Sequence, residues 1–311
     1  MFSNQALKKL IIPLVIEQLL VILVGFCDTI MVSSVGEAAV SAVSLVDSIN
    51  VLLINVFAAL GTGGAVVAAQ FIGQGTLEKA RFSAKQLLLI TAILSLIIMG
   101  VILLFNTSIL HLAFGNVDSG VMNNAETFFL VSALPYPFIA LYNSGAALFR
   151  AIGNSKISMI TSAIMNVINI IFNTIFIFGL KLGVLGSGLA TLIARMVCCI
   201  VILKCLTNKD NNLYVDDYRH WKFDLVYIKK ILTIGIPSGL ENGMFQFGKI
   251  LVQSLVATFG TYAIAANAVS NNLAQMQIIP GMAMSLAMVT VVGQCVGAND
   301  YKQAKYYIKN Y

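Results

Sequence analysis

Charge is what this sequence most lacks. Asp, Glu, Lys and Arg together supply 10% of its 311 residues, where a soluble domain carries about 25%. With 59% hydrophobic residues and a mean hydropathy of +0.89, that deficit excludes an ordinary soluble fold and indicates an integral membrane protein. Histidine is as scarce: His111 and His220 fall in loops expected on opposite sides of a membrane, so they cannot form a metal pair. Cys27, Cys198, Cys199, Cys205 and Cys295 lack the spacing of a zinc or disulfide framework and read as small buried hydrophobes with free thiols. Gly61-Thr62-Gly63-Gly64 has no Gly-Lys-Ser/Thr ending, which excludes a phosphate loop and leaves close helix packing as its reading. A nucleophile elbow, a zinc motif and a kinase signature are missing too. The chain is therefore read as a non-enzyme that needs no cofactor.

Long apolar runs are present instead. A helix needs ~20 apolar residues to cross a bilayer, and runs of that size recur at about 10–33, 44–71, 86–108, 122–149, 157–179, 184–205, 231–258 and 264–294. The expected fold is all-α and integral to the membrane, with about eight spans. Lys8-Lys9 before the first run resembles a signal-peptide start, but that run is too long and carries Pro13, Glu17 and Asp28, so it is kept as a span. Gly36, Gly115, Pro135, Pro137, Gly179, Gly183 and Gly260 mark turns or kinks. The long polar stretch Leu206–Tyr227 reads as a linker between two halves.

The basic residues orient this layout. Lys8, Lys9, Lys79, Arg81, Lys85, Arg150, Lys156, Lys204, Lys209, Arg219, Lys222, Lys229, Lys230, Lys302, Lys305 and Lys309 all lie before the first span or after even-numbered ones, and the opposite loops hold only Lys181. The positive-inside rule then places both ends of the chain in the cytoplasm. It also accounts for the net charge of +6 as a topology signal facing anionic lipid, not a nucleic-acid surface.

An internal repeat organises the chain. At one ungapped offset Pro13 falls on Pro237, Glu17 on Glu241, Gly36 on Gly260, Gln70 on Gln294, Gly73 on Gly297 and Ala80 on Ala304. Both copies start on the same side, so they are parallel repeats of the kind that place a transport site at the interface of two halves.

Polar groups inside the spans are the candidate site, because a charge at mid-membrane costs at least ~2.5–3.5 kcal/mol. Glu17 and Asp28 share a helical face about 16 Å apart along the axis, and a buried carboxylate there can exchange a proton or coordinate sodium. Ser162, Asn166, Asn169 and Asn173 form a polar stripe on the fifth span. Glu241 opens the seventh, where Asn242, Gln246, Lys249 and Gln253 form a second stripe. Asn267, Asn271 and Gln275 form a third on the eighth, while Asp47 and Asn50 play a similar part on the second. Arg195 lies near the middle of the sixth with no partner legible in the sequence.

Several of these residues carry a family resemblance. Pro13, the run Gly25-Phe26-Cys27-Asp28-Thr29-Ile30-Met31, Gly36 and Gln70-x-x-Gly73 resemble the multidrug and toxic compound extrusion (MATE) transporters. So do Arg150-Ala151-Ile152-Gly153-Asn154-Ser155-Lys156, Phe178-Gly179 with Gly183-Val184-x-Gly186, and Pro237, Glu241 and Gly293-Gln294-x-x-Gly297. The resemblance implies a twelve-helix fold in two six-helix lobes, and secondary antiport of organic cations and amphipathic drugs against protons or sodium. It makes Asp28 the first-helix coupling acid, with Asn169 and Asn173 around it; Asn173 stands where part of the family has aspartate. Glu17 and Glu241 complete the expected coupling set. Asn166, Asp47, Asn242, Gln246, Lys249, Gln253, Asn267 and Asn271 are expected along the substrate cavity, with sodium at Asp28 as the one metal considered.

The expected layout is an N-terminal six-helix lobe over 1–205, a cytoplasmic linker over 206–230, and the first two helices of a second lobe over 231–311. On that reading about four helices of the family fold are missing. The expected location is the cytoplasmic cell membrane, the partners are lipid and a small amphipathic or cationic substrate with no nucleic acid, and the expected state is a monomer if the protein is full length. Two alternatives stay open: a lipid-linked oligosaccharide flippase of the wider superfamily, and a truncated protein that does not transport.

Overall fold

The computed structural model describes residues 2–35, 37–114, 119–216, 222–257 and 261–310, together with most of their side chains. Gly36, Gly115, Gly260 and His220, singled out above, lie outside the described residues, as do the side chains of Gln253, Asn267, Asn271 and Gln275.

Ten α-helices carry the described chain: α1 (Asn4–Ser33), α2 (Glu37–Gly73), α3 (Leu77–Phe114), α4 (Ser119–Ala133), α5 (Tyr136–Ala151), α6 (Ser155–Asn173), α7 (Gly183–Leu206), α8 (Leu225–Ala257), α9 (Thr261–Gly297) and α10 (Tyr301–Asn310). Ser3 caps α1 by accepting from the Ala6 amide at 3.1 Å. The span expected over 122–149 is two helices bent by 48°. Pro135 and Pro137 flank its break, and proline has no N–H to continue a helical ladder. After Asn173 the sixth helix widens into one π-helical turn, Thr174–Gly179, and such turns are frequent at functional sites.

Among the described residues six helices are long and apolar enough to cross a membrane, and the bent pair makes a seventh. The seventh expected span, α8, falls outside that set. Its 33 residues have the length, but Glu241, Asn242, Gln246 and Lys249 dilute its apolarity.

The repeat is visible in the backbone. An offset of 224 carries both bounds of α2 onto those of α9, and the start of α3 onto the start of α10. The connecting turns match bond for bond. Gly75 accepts a positive φ of 74° in the first and Asn299 one of 58° in the second, asparagine being a residue that tolerates this conformation. The Thr76 amide donates to Phe71 O at 3.0 Å and the Asp300 amide to Cys295 O at 2.9 Å.

The copies also pack on each other reciprocally. A Cβ on Gly73 would strike the carbonyl of Gln294, and a Cβ on Gly297 would strike that of Gln70. Small residues are what allow helix backbones to touch where lipid removes the hydrophobic drive to associate. A Cβ on Gly63 would likewise strike the Ile231 carbonyl of α8, while Leu10 and Leu14 of α1 pack with Ala283, Ala287 and Val291 of α9. These contacts all lie in the half of the bundle that holds the basic connections. Toward the other end both first helices lose cover, with Leu23 and Ile30 on α1 and Met244 and Leu255 on α8 largely exposed.

The described parts of the polar connection between α7 and α8, residues 207–216 and 222–224, are docked on the bundle. Leu213 and Val215 are fully buried in it. Arg81 stacks 3.9 Å from the Tyr214 ring centroid, and Lys85 pairs with Asp216 at 3.0 Å. Gln86 donates to Lys222 O at 2.6 Å and accepts from the Asp224 amide at 3.1 Å. Asp224 in turn caps α8 through the Val226 amide at 2.8 Å.

Candidate functional site

A cavity of about 390 Å³ opens among α1, α2, α4, α6 and α7. Helical periodicity brings its polar groups to one place. Asp28 comes from α1, Asp47 and Asn50 from α2, Ser132 from α4, Asn166 and Asn169 from α6, and Thr191 and Arg195 from α7. The rest of the wall is apolar, including Val21, Ile54, Phe128 and Met165. A few converging polar groups in an apolar concavity are the usual composition of a small-molecule site.

Two hydrogen-bond chains hold the carboxylates. In the first, the Asn173 amide donates to Asp28 Oδ1 at 2.6 Å and to Asn169 Oδ1 at 3.0 Å, and Asn169 donates to Thr191 Oγ1 at 3.3 Å. Asn173 Oδ1 and Asn166 Oδ1 are buried acceptors with no hydrogen-bond donor. Buried acceptors are normally satisfied, so this corner is rich in hard oxygen and short of donors. In the second chain the Asn50 amide donates to Asp47 Oδ1 at 3.2 Å, and Asn50 Oδ1 accepts from the Tyr136 hydroxyl at 2.6 Å and from Ser132 Oγ at 3.4 Å.

The structure thus gathers Asp28, Asp47, Asn166, Asn169 and Asn173, all named from the sequence. Glu17 lies elsewhere. It is 6% exposed, bound to Arg150 Nη1 at 3.1 Å, and accepts from Ser158 Oγ at 2.6 Å, so it ties α1 to α5 and α6 below the cavity. Arg150 and its neighbour also engage α9: Thr290 donates to Arg150 O at 2.8 Å and Gln294 to Ala151 O at 2.7 Å. Glu241, Asn242, Gln246 and Lys249 sit on α8 and do not line the cavity; Lys249 Nζ lies 4.9 Å from the Phe245 ring centroid. Hence the described cavity belongs to the helices before the connection, and not to the interface between the copies. Thr191 and Tyr136 were not found from the sequence. The Ser187, Thr191, Arg195 spacing of four on α7 was the available signal for the first.

A family model, MatE, matches residues 13–175 and 237–310. This chain belongs to the MATE family of transporters. It is 27% identical over 318 residues to an uncharacterized transporter, YisQ, of Bacillus subtilis, the match covering 97% of this chain and 69% of that one. The multidrug export protein MepA of Staphylococcus haemolyticus is 26% identical, covering 93% of this chain and 63% of MepA. A crystal structure of MATE in complex with MaL6 superposes with a TM-score of 0.91 at 26% identity, covering 97% of this chain and 67% of that one. An outward-facing multidrug resistance MATE transporter gives 0.90 at 25%, with the same two coverages, 97% and 67%. Across the curated relatives the chain spans from 58% of one to 69% of another. As a MATE member with apolar helices of spanning length, it is a multi-pass membrane protein.

Proposed function

We propose that this chain works as a secondary antiporter of the cytoplasmic membrane, exporting organic cations and amphipathic drugs in exchange for inward protons or sodium ions. The observation that carries the reading is Asp28: a carboxylate held by Asn173 at 2.6 Å on the wall of a mostly apolar cavity. The apolar wall suits an amphipathic body, and the carboxylate suits either the cationic head of a cargo or the coupling ion. Coupling follows if the two compete. A ligand shifts an equilibrium between access states only by its difference in affinity for them, so ion binding at Asp28 has to favour one state and cargo binding the other. The oxygens of Asp28, Asn169, Asn173 and Thr191 are the hard donors that would take a sodium ion, and Asp28 alone would take a proton.

The test is dye efflux from cells expressing the Asp28→Asn variant. Efflux should be abolished while membrane expression stays normal, and efflux at the wild-type rate would sink the reading. Efflux followed with the proton and sodium gradients collapsed separately then identifies the ion.

A further inference from the structure

Resting on that reading, the structure also bears on the charge of the cargo. The charged groups facing the cavity are Asp28 from α1, Asp47 from α2 and Arg195 from α7, while α4 and α6 contribute only neutral side chains. Each carboxylate already has a neutral amide donor, Asn173 for Asp28 and Asn50 for Asp47. Arg195 differs, since among the described residues its guanidinium makes no hydrogen bond. It lines the same cavity as both carboxylates. A guanidinium keeps its charge inside proteins, and at membrane depth it needs compensation. Two negative charges against one positive leave the cavity with a single net negative charge.

We infer that Arg195 is the residue that sets cargo charge: it offsets one of the two carboxylates from within the cavity, so that one unit of negative charge remains for one unit of positive charge at a time. The occupant is then either one coupling cation or one monovalent organic cation, exchanged one for one, and a dication is disfavoured because its second charge meets Arg195. Without Arg195 the cavity would hold two open carboxylates and suit a dication.

The experiment is equilibrium binding to the purified whole chain in detergent at low salt. The probes are tetraphenylphosphonium as monocation and decamethonium as dication, each read by competition with a fluorescent cationic dye. Arg195→Gln should improve decamethonium affinity relative to tetraphenylphosphonium by about tenfold or more, the scale of one unit charge about 12 Å away at an effective dielectric of ~20. Arg195→Lys should keep the wild-type ratio. Asp47→Asn leaves the cavity with no net charge and should weaken tetraphenylphosphonium, and Asp47→Asn combined with Arg195→Gln should restore it. An unchanged ratio in Arg195→Gln, or no restoration in the double variant, overturns the inference while leaving the cavity as a cargo site. If the wild-type chain binds neither probe saturably, the inference and the proposed function fall together.

Discussion

The carboxamide nitrogen of Asn173 lies 2.6 Å from Asp28 Oδ1, and the same nitrogen reaches Asn169 at 3.0 Å. One donor group therefore fixes the position of the cavity's first-helix acid and joins α1 to α6. Because an amide cannot ionise, the corner has one titratable group where an aspartate at 173 would give two.

Replacing Asn173 by Ala should reduce dye efflux by about tenfold, the scale of losing a hydrogen bond to a charged group. The melting temperature should fall as well, because the buried acceptors on Asp28 and Asn169 lose their donor, at ~1–3 kcal/mol. A variant with wild-type efflux would show that Asp28 needs no such support.

The helix crossing at Gly73 and Gly297 makes a sharper stability prediction. Gly73→Ala drives a methyl into the Gln294 carbonyl, and such overpacking costs ~1–3 kcal/mol. Gly100→Ala on α3 meets nothing within 4 Å and should be neutral or slightly stabilising. Thermal unfolding of the two variants side by side checks this; equal melting temperatures would mean that the copies do not touch there.

Glu17 should behave as a structural charge. Removing one partner of a buried pair costs about 3–5 kcal/mol, so Glu17→Ala should lower the melting temperature markedly and Glu17→Ala with Arg150→Met should recover part of the loss. The half-saturating concentration of the coupling ion should stay at its wild-type value in Glu17→Gln. A shifted ion dependence without a stability loss would give Glu17 the coupling role that its spacing from Asp28 suggested.

The docked connection should respond unequally to its two kinds of contact. Hydrogen bonding and charge from Lys85 hold the Asp216 carboxyl below its ordinary value. Its contribution is thus complete at neutral pH and lost only as pH falls through that lowered value. Being exposed, the pair is weak, and Lys85→Met should change little. Gln86→Leu strands Lys222 O and the Asp224 amide and should make the 207–224 segment cleavable by protease several times faster. Equal cleavage rates would mean that Gln86 does not hold the connection down.

How much of this was legible in the sequence depends on the distance over which each feature is decided. The repeat was legible because Pro13 and Pro237, or Gln70 and Gln294, keep one offset, and the structure extends it to both bounds of a helix. The stripe of Asn166, Asn169 and Asn173 was legible because helical spacing alone puts it on one face. The neighbours of Arg195 were not, for they come from α1 and α2, well over a hundred residues away. Glu17 shares a face with Asp28 in the sequence, yet its partner Arg150 is 133 positions distant, and no local pattern announces it. The connection looked uniformly polar; Leu213 and Val215, alternating with Tyr214, were the signal that part of it packs inward.

The reciprocal contact of Gly73 with Gln294 and of Gly297 with Gln70 also has a mechanical meaning. Two backbones that meet at a symmetric point with no side chains between them form a fulcrum. Asp47 lies 26 residues up the same helix, about 39 Å away at 1.5 Å per residue. A tilt of about ten degrees about that point therefore displaces the level of Asp47 by about 7 Å relative to the second copy, while the fulcrum itself stays closed. If α2 and α9 moved as levers about that point, a small rearrangement at the basic end would become a wide opening at the other.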